Sequence, residues 1–294
     1  YKTMRISNLM IMTGLSMSVM LFSCEEEAIM PETPSPIGSN PPKDSNTTPP
    51  AGSTPPPAST PPTPPPPTNN PTPPPSPVTS NSLLKQIGTQ LFLYDTQGRL
   101  KEVSYTDQAS LGYTIQYEGD RPVRLNFKNG NYLLYIYEGN KVVEAIRYYG
   151  EHLVNYRYNF EYSGNNLVKQ TTMSYATSSE GRLTVIEYRY DANGNLTELI
   201  SASSTTSKVE DLASPYVIKW GNFDNRLNPV HFTNSAFYLP EVKLFQHNPG
   251  YRDPGTGKEL YSYIYHESGM PQQRYTKLEA YPWVQPVIDI YSYQ

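Results

Sequence analysis

Cysteine is almost missing from this chain: its 294 residues hold only Cys24. A lone thiol has no partner for an internal disulfide, so cysteine usage says nothing about the redox compartment. Histidine is also scarce. His152, His231, His247 and His266 stand at no metal-ligand spacing, neither His-Glu-x-x-His nor His-x-His, which argues against a metal site. No Gly-x-Ser-x-Gly elbow exists, so nothing marks a serine nucleophile. Lysine and arginine form no cluster and the formal net charge is −4, so the electrostatic footprint of a nucleic-acid-binding protein is lacking. Nor is any apolar run as long as the ~20 residues of a spanning helix.

What is present changes abruptly along the chain. Residues 1–23 are apolar and rich in methionine, residues 24–80 are dominated by proline, serine and threonine, and residues 81–294 hold 25 of the 26 tyrosines and both tryptophans. Only the last region can bury a core, and its length suits one all-β domain. Met4 is the expected start, with Arg5 as the positive region of a secretory signal and the short apolar stretch from Leu9 to Ser23 as its core.

The signal ends in Leu21-Phe22-Ser23-Cys24, which resembles the lipobox read by lipoprotein signal peptidase. Its order has a chemical reason. The thiol is the nucleophile that takes the diacylglyceryl group, the small Ser23 admits the peptide bond to the peptidase, and the acyl chains replace the discarded helix as anchor. Phe22 is bulkier than usual at its position. Cys24 is therefore the expected lipidation site, and a membrane held through lipid is the first expected partner. The run Glu25-Glu26-Glu27 is similar to the export signal of surface lipoproteins, which implies an outer-membrane location facing the exterior.

From Pro31 to Pro77, 21 of 47 residues are proline, none is aromatic, and only Glu32, Lys43 and Asp44 are charged. Such a segment forms no core and favours polyproline II, about 3.1 Å per residue, so it reads as a stalk with a reach on the order of 150 Å.

Beyond Asn81 one pattern returns: a strand ending in Tyr, a Gly/Asn turn, then a second strand with aliphatic residues. It stands at Tyr94-Asp95-Thr96-Gln97-Gly98, Tyr117-Glu118-Gly119-Asp120, Tyr137-Glu138-Gly139-Asn140, Tyr162-Ser163-Gly164-Asn165 and Tyr190-Asp191-Ala192-Asn193-Gly194. Trp220-Gly221-Asn222 reads as a version with Trp for Tyr, and Tyr265-His266-Glu267-Ser268-Gly269 as a last copy. Each unit predicts a β-hairpin, because Gly and Asn accept the positive φ of tight turns. Tyr156, Tyr158, Phe160 and Tyr162 alternate with Asn155, Arg157, Asn159 and Glu161, so period two predicts an antiparallel sheet buried on one face. The expected fold is all-β: an antiparallel meander of repeated hairpins, curved or partly closed like a barrel.

The spacing resembles YD-repeat sequences and, more closely, the tyrosine-rich surface lipoproteins of Bacteroidota that carry a β domain of unknown function. The likeness covers roughly residues 90–275, and its motifs specify hairpins and turns. It implies a long meander with no established activity. Glu118, Glu138 and Asp191 are the carboxylates that a glycosidase would need in pairs. They occupy equivalent turn positions, so the expectation is a non-enzymatic protein without cofactor. Asp191 to Asn195 also departs from a calcium loop, since Leu196 stands where the EF-hand needs Gly. The aromatic excess points to an extracellular glycan or protein ligand, with Trp220 and Trp283 as candidate contacts, although cross-strand aromatic pairs account for most of the rings. The other readings are a structural envelope protein and a glycoside hydrolase.

Overall fold

The computed structural model describes residues 82–231 and 237–294. The expected signal peptide, the lipobox with Cys24, the acidic run and the proline stalk lie outside the described residues.

Sixteen strands follow one another: β1 (Leu84–Ile87), β2 (Gln90–Tyr94), β3 (Leu100–Tyr105), β4 (Tyr113–Glu118), β5 (Arg121–Phe127), β6 (Tyr132–Glu138), β7 (Lys141–Tyr149) and β8 (Leu153–Ser163). Then come β9 (Asn166–Ser174), β10 (Arg182–Tyr190), β11 (Leu196–Ser203), β12 (Tyr216–Gly221), β13 (Tyr251–Asp253), β14 (Glu259–Tyr265), β15 (Pro271–Leu278) and β16 (Val287–Tyr293). Each pairs antiparallel with its sequence neighbours, and β16 pairs with β1, so the expected meander closes completely into a barrel. Closure leaves no unpaired sheet edge.

An antiparallel meander sends alternate connections to opposite ends. One end, the hairpin rim, carries the repeated Tyr-Gly turns. The other, the loop rim, carries the connections β1 to β2, β3 to β4 and so on to β15 to β16. Between β4 and β5, β6 and β7, and β8 and β9, the turns are Gly119-Asp120, Gly139-Asn140 and Gly164-Asn165, with φ of 60°, 60° and 57° at the glycine alone. Positive φ at the first position only is the pattern of a type II′ turn, whose twist suits a hairpin.

The tyrosine before each turn has a structural task that spacing alone does not disclose. At Tyr94, Tyr117, Tyr137, Tyr162, Tyr190 and Tyr265 the ladder shifts register through an extra residue on the partner strand, while the period of two along its own strand points each ring into the lumen. Except at Tyr265, whose hydroxyl donates to Asp224, the hydroxyl then donates to a backbone carbonyl at the start of the preceding return strand. Tyr117 reaches Leu100 (2.7 Å), Tyr137 reaches Pro122 (2.6 Å), Tyr162 reaches Val142 (2.8 Å) and Tyr190 reaches Leu167 (2.9 Å). Tyr94 to Leu84 (2.8 Å) and Tyr293 to Pro271 (2.7 Å) carry the same clasp across the seam where the barrel closes. The cation after one turn covers the next ring: Arg99 over Tyr117 at 4.4 Å, Arg121 over Tyr137 at 4.5 Å and Lys141 over Tyr162 at 5.2 Å. Each also donates to the glycine carbonyl of that next turn, at Gly119, Gly139 and Gly164. Much of the tyrosine excess is thus a stitched rim, rather than the simple cross-strand pairs expected.

The motif at Trp220 does not make a turn. The chain leaves β12 at Gly221 and returns at β13 only with Tyr251, and the described residues between them, 222–231 and 237–250, enter the lumen as a plug. Phe237 lies edge-on to Tyr158 (4.7 Å) and Phe160 (6.2 Å) of β8, and the Tyr238 carbonyl accepts from Tyr135 of β6. His231 Nε2 is 2.8 Å from the Tyr94 hydroxyl of β2, Leu244 accepts from Leu196 of β11 at 2.7 Å, and Phe245 meets Trp220 of β12. A segment touching inward residues of strands so far apart must sit inside the barrel. Phe237, Leu239, Val242 and Leu244 are buried there in one core with Phe92, Leu125, Leu133, Leu167 and Leu199.

The outer wall has two characters. From β7 to β12 it is laced with cross-strand ion pairs: Arg157–Glu144 (2.7 Å), Lys169–Glu161 (2.8 Å), Arg189–Glu198 (3.1 Å) and Lys219–Glu198 (3.4 Å). That face suits water, not hydrocarbon, where such charges cost several kcal/mol each. Over β14 to β16 it is apolar, with Leu260, Ile264, Ile288 and Ile290 exposed.

Candidate functional site

The residues able to meet a ligand follow from which rim and which face each strand presents. In the β15 to β16 connection, Pro282 and Pro286 cannot join a ladder, so the chain stands off the barrel. Tyr281 donates its N–H to the Leu278 carbonyl (3.2 Å) and Val284 donates to Tyr281 (3.0 Å), which fixes the loop as a turn. On it Trp283 is 74% exposed and Tyr281 51%, their rings perpendicular at 5.8 Å. Ile288 and Ile290 continue outward from this turn along β16, and register sets Ile290 beside Gln273 and Gln273 beside Ile264. Exposed rings on a pinned turn, joined to a charge-poor stretch of wall, form a contact surface.

A second concavity, about 330 Å³, opens where the plug meets β14, lined by Asn222, Asp224, Asn225, Arg226, Asn248, Gly250, Tyr261, Tyr263 and Tyr265. Its polar groups mostly hold one another. Asp224 accepts from the backbone N–H of Arg226 (2.9 Å) and of Asn248 (3.2 Å), from the Asn248 amide (3.2 Å) and from the Tyr265 hydroxyl. Tyr263 donates to Pro249 (3.1 Å), and Arg226 lies over the Tyr265 ring at 5.1 Å. These bonds tie both ends of the plug to the wall. Burial, with the Asp224 hydrogen bond next, raises the Tyr265 hydroxyl far above its ordinary value, so at neutral pH it donates and is no base.

The two tryptophans separate. Trp220 is 5% exposed, because its position on β12 faces the lumen and its ring meets Phe245. It belongs to the core and offers no face to an outside ligand. Trp283 is the one left to make contact.

Catalytic geometry does not assemble around the carboxylates. Glu118 and Glu138 are exposed on the outer side of the hairpin rim, since the tyrosine before each points inward. Asp191 is committed to its own turn: its Oδ1 accepts from the backbone of Asn193 and Asn195, each at 2.9 Å. Against the burial that pushes it up, those bonds hold its carboxyl below the ordinary range. The inward acids are paired, Glu259 with Arg252 (2.8 Å) and Asp289 with Arg274 (2.7 Å). Among the described residues no three His, Cys, Asp or Glu side chains come together as a metal site. His231 and His247 serve the plug, the latter beside Asn195 (3.3 Å). His152 and His266 stand apart, His152 on the loop rim and His266 on the hairpin rim.

No protein-family model matches this sequence, and no curated protein does. Among solved structures the chain is similar to a porin-like protein from Bacteroides vulgatus, with a TM-score of 0.49 and 14% identity over 72% of this chain and 99% of that one. It is also similar to a porin-like protein from Bacteroides uniformis, with a TM-score of 0.45 and 13% identity over 70% of this chain and 89% of that one. Both are distant likenesses of backbone shape, and the function of this barrel is read from its own side chains.

Proposed function

We propose that this chain is a non-enzymatic lipoprotein of the outer surface, of the tyrosine-rich YD-repeat-like kind, which uses its loop rim to bind an extracellular glycan. The observation that carries the reading is Trp283, three-quarters exposed beside Tyr281 on a pinned turn. A flat ring with free faces stacks on the apolar face of a sugar, and the Tyr281 hydroxyl can hydrogen-bond its edge. The plug argues against a channel, and the ion-paired outer wall argues against a membrane-spanning role.

Topology supports display. β1 begins at the hairpin rim, so the loop rim is the end of the barrel opposite Leu84. Cys24 supplies the lipid attachment after recognition of Leu21, Phe22 and Ser23, and Glu25, Glu26 and Glu27 direct the protein outward. Two measurements test this. A glycan array should give hits that weaken at least tenfold in Trp283→Ala; an array without hits overturns the ligand. Cys24→Ala should abolish labelled-palmitate incorporation, and unchanged labelling overturns the anchor.

A further inference from the structure

The lumen is not uniform. Near the hairpin rim it is filled by the apolar plug, but near the loop rim its wall carries hydroxyl side chains and two arginines without a carboxylate among the described residues. Arg147 of β7 stands opposite Tyr156 of β8, Tyr156 opposite Ser174 of β9, and Ser174 opposite Arg182 of β10. This row faces inward: its neighbour across β6 is the fully buried Leu133, and the Arg147 guanidinium lies 4.3 Å from the Phe127 ring and 5.8 Å from Tyr156. Ser201 opposite Tyr216, and Ser203 bonded to Thr184 at 3.0 Å, extend the same face to β12. Ser203 is exposed and Tyr216 is 44% exposed, so water reaches this mouth.

Among the described residues neither arginine has a carboxylate partner. The other inward cations near this end are neutralised, Arg252 by Glu259 and Arg274 by Asp289, which leaves two guanidinium groups uncompensated. The Nε atoms of Arg147 and Arg182 are buried without a hydrogen-bond partner, and the Arg147 side chain lies against the Tyr158 hydroxyl. Each such orphan costs about 1–3 kcal/mol, and native interiors keep few of them. Two buried guanidinium nitrogens without partners, on cations of β7 and β10 that share one inward row, describe a place built for a polar, negatively charged guest.

We infer that the loop-rim mouth is an anion site and that its guest is an acidic saccharide, bearing carboxylate or sulfate groups. Arg147, held flat by Phe127 and Tyr156, presents its terminal nitrogens to an oxyanion with little loss of side-chain entropy. Arg182, three strands away, stands about 14 Å along the wall by strand spacing. That separation matches the span of a short oligosaccharide. Tyr156 and Tyr216 offer ring faces, and Ser174, Ser201 and Ser203 offer hydroxyls. The inference rests on the glycan reading for the ligand's class, but on residues that reading does not use.

Calorimetric titration of the full chain with an oligouronate, a sulfated oligosaccharide, a neutral oligosaccharide of equal length and inorganic sulfate separates the outcomes. The acidic sugars should bind at least tenfold more tightly than the neutral one and weaken steeply with salt. Arg147→Gln and Arg182→Gln should each erase that preference, and Arg182→Gln, which breaks no ring stacking, should do so with an unchanged melting temperature. Equal affinity for neutral and acidic sugars, or full acidic binding by Arg182→Gln, overturns the anion site while the glycan reading stands. Binding of sulfate alone, or of nothing, overturns the anion site. Acidic preference kept intact in Trp283→Ala supports the mouth and removes Trp283 from the account.

Discussion

Replacing Tyr162 by Phe isolates what one clasp contributes. The ring stays, so no cavity opens; only the hydroxyl that donates to the Val142 carbonyl at 2.8 Å is lost. Val142 is 1% exposed, so its carbonyl loses a partner that water replaces poorly. A hydrogen bond of this kind contributes about 0.5–1.5 kcal/mol net, and an orphaned buried acceptor raises the loss to about 1–2 kcal/mol. In a domain of this size each kcal/mol shifts the melting temperature by about 2–4 °C, so Tyr162→Phe should melt about 2–8 °C lower. Tyr149→Phe, at a residue 62% exposed with no such bond, is the control and should melt unchanged. Tyr117→Phe removes the Leu100 clasp, and with another hairpin between the two sites the double mutant should be additive within about 0.5 kcal/mol. Urea unfolding followed by Trp220 fluorescence, with an unchanged slope, gives the free energies. If neither single mutant differs from wild type, or if the control falls equally, the hydroxyl is incidental and the tyrosines are only rings.

Three further perturbations probe other parts of the barrel. Phe237→Ala removes the plug residue set between Tyr158 and Phe160 and should cost about 3–5 kcal/mol in the same urea assay; a cost under about 1 kcal/mol would mean the plug is not core. Arg274→Met strands the buried Asp289 and should cost about 3–5 kcal/mol, whereas adding Asp289→Leu should recover most of it; equal losses in both proteins would refute the pairing. Burial raises the clasp hydroxyls, Tyr117 and Tyr162 up to about 12, so the folded state holds those protons longer than the unfolded chain does. Stability from them is complete below about pH 10 and lost as pH rises through 12. The melting temperature should therefore fall above pH 10, together with a steep rise in tyrosinate absorbance at 295 nm. Full ionisation near pH 10 with the β-sheet spectrum intact would contradict it.

The hairpins were legible because their signal is local. Gly119, Gly139 and Gly164 each sit at positive φ, and the period of two along β8 assigns Tyr158 and Phe160 inward and Asn159 and Glu161 outward, as found. Closure was less legible, since the β16 to β1 pairing joins Leu84 to Tyr293 and no short-range pattern reports a contact of that separation. The clasps fell between the two: their spacing was visible as Tyr before Gly, but the acceptor is a backbone carbonyl one hairpin back, which side-chain patterns do not reveal. Trp220 misled because it occupies the tyrosine's place in the motif, where the wall turns its ring inward. Arg147 and Arg182 could have been noticed as cations at inward positions of their strands, Arg147 beside buried Ala145 and Arg182 in step with Ile186. Their row, however, exists only once four strands are in register.

The plug shows where counting strands would have gone further than reading motifs. Barrels of about eight strands fill with side chains, whereas those of sixteen or more leave a channel or need a plug. A barrel of sixteen strands whose inward face includes Phe92, Leu125, Leu133, Leu167 and Leu199 cannot leave that surface wet. Some part of the chain had to enter the lumen. Residues 222–250 were the candidate by elimination, too long for a hairpin turn and interrupted by Pro229, Pro240 and Pro249, which cannot serve a central strand, yet carrying Phe237, Leu239, Val242, Leu244 and Phe245. The plug's position at the hairpin rim then decides the rest. It leaves the loop rim as the end where the lumen meets water with arginines that have no carboxylate partner among the described residues.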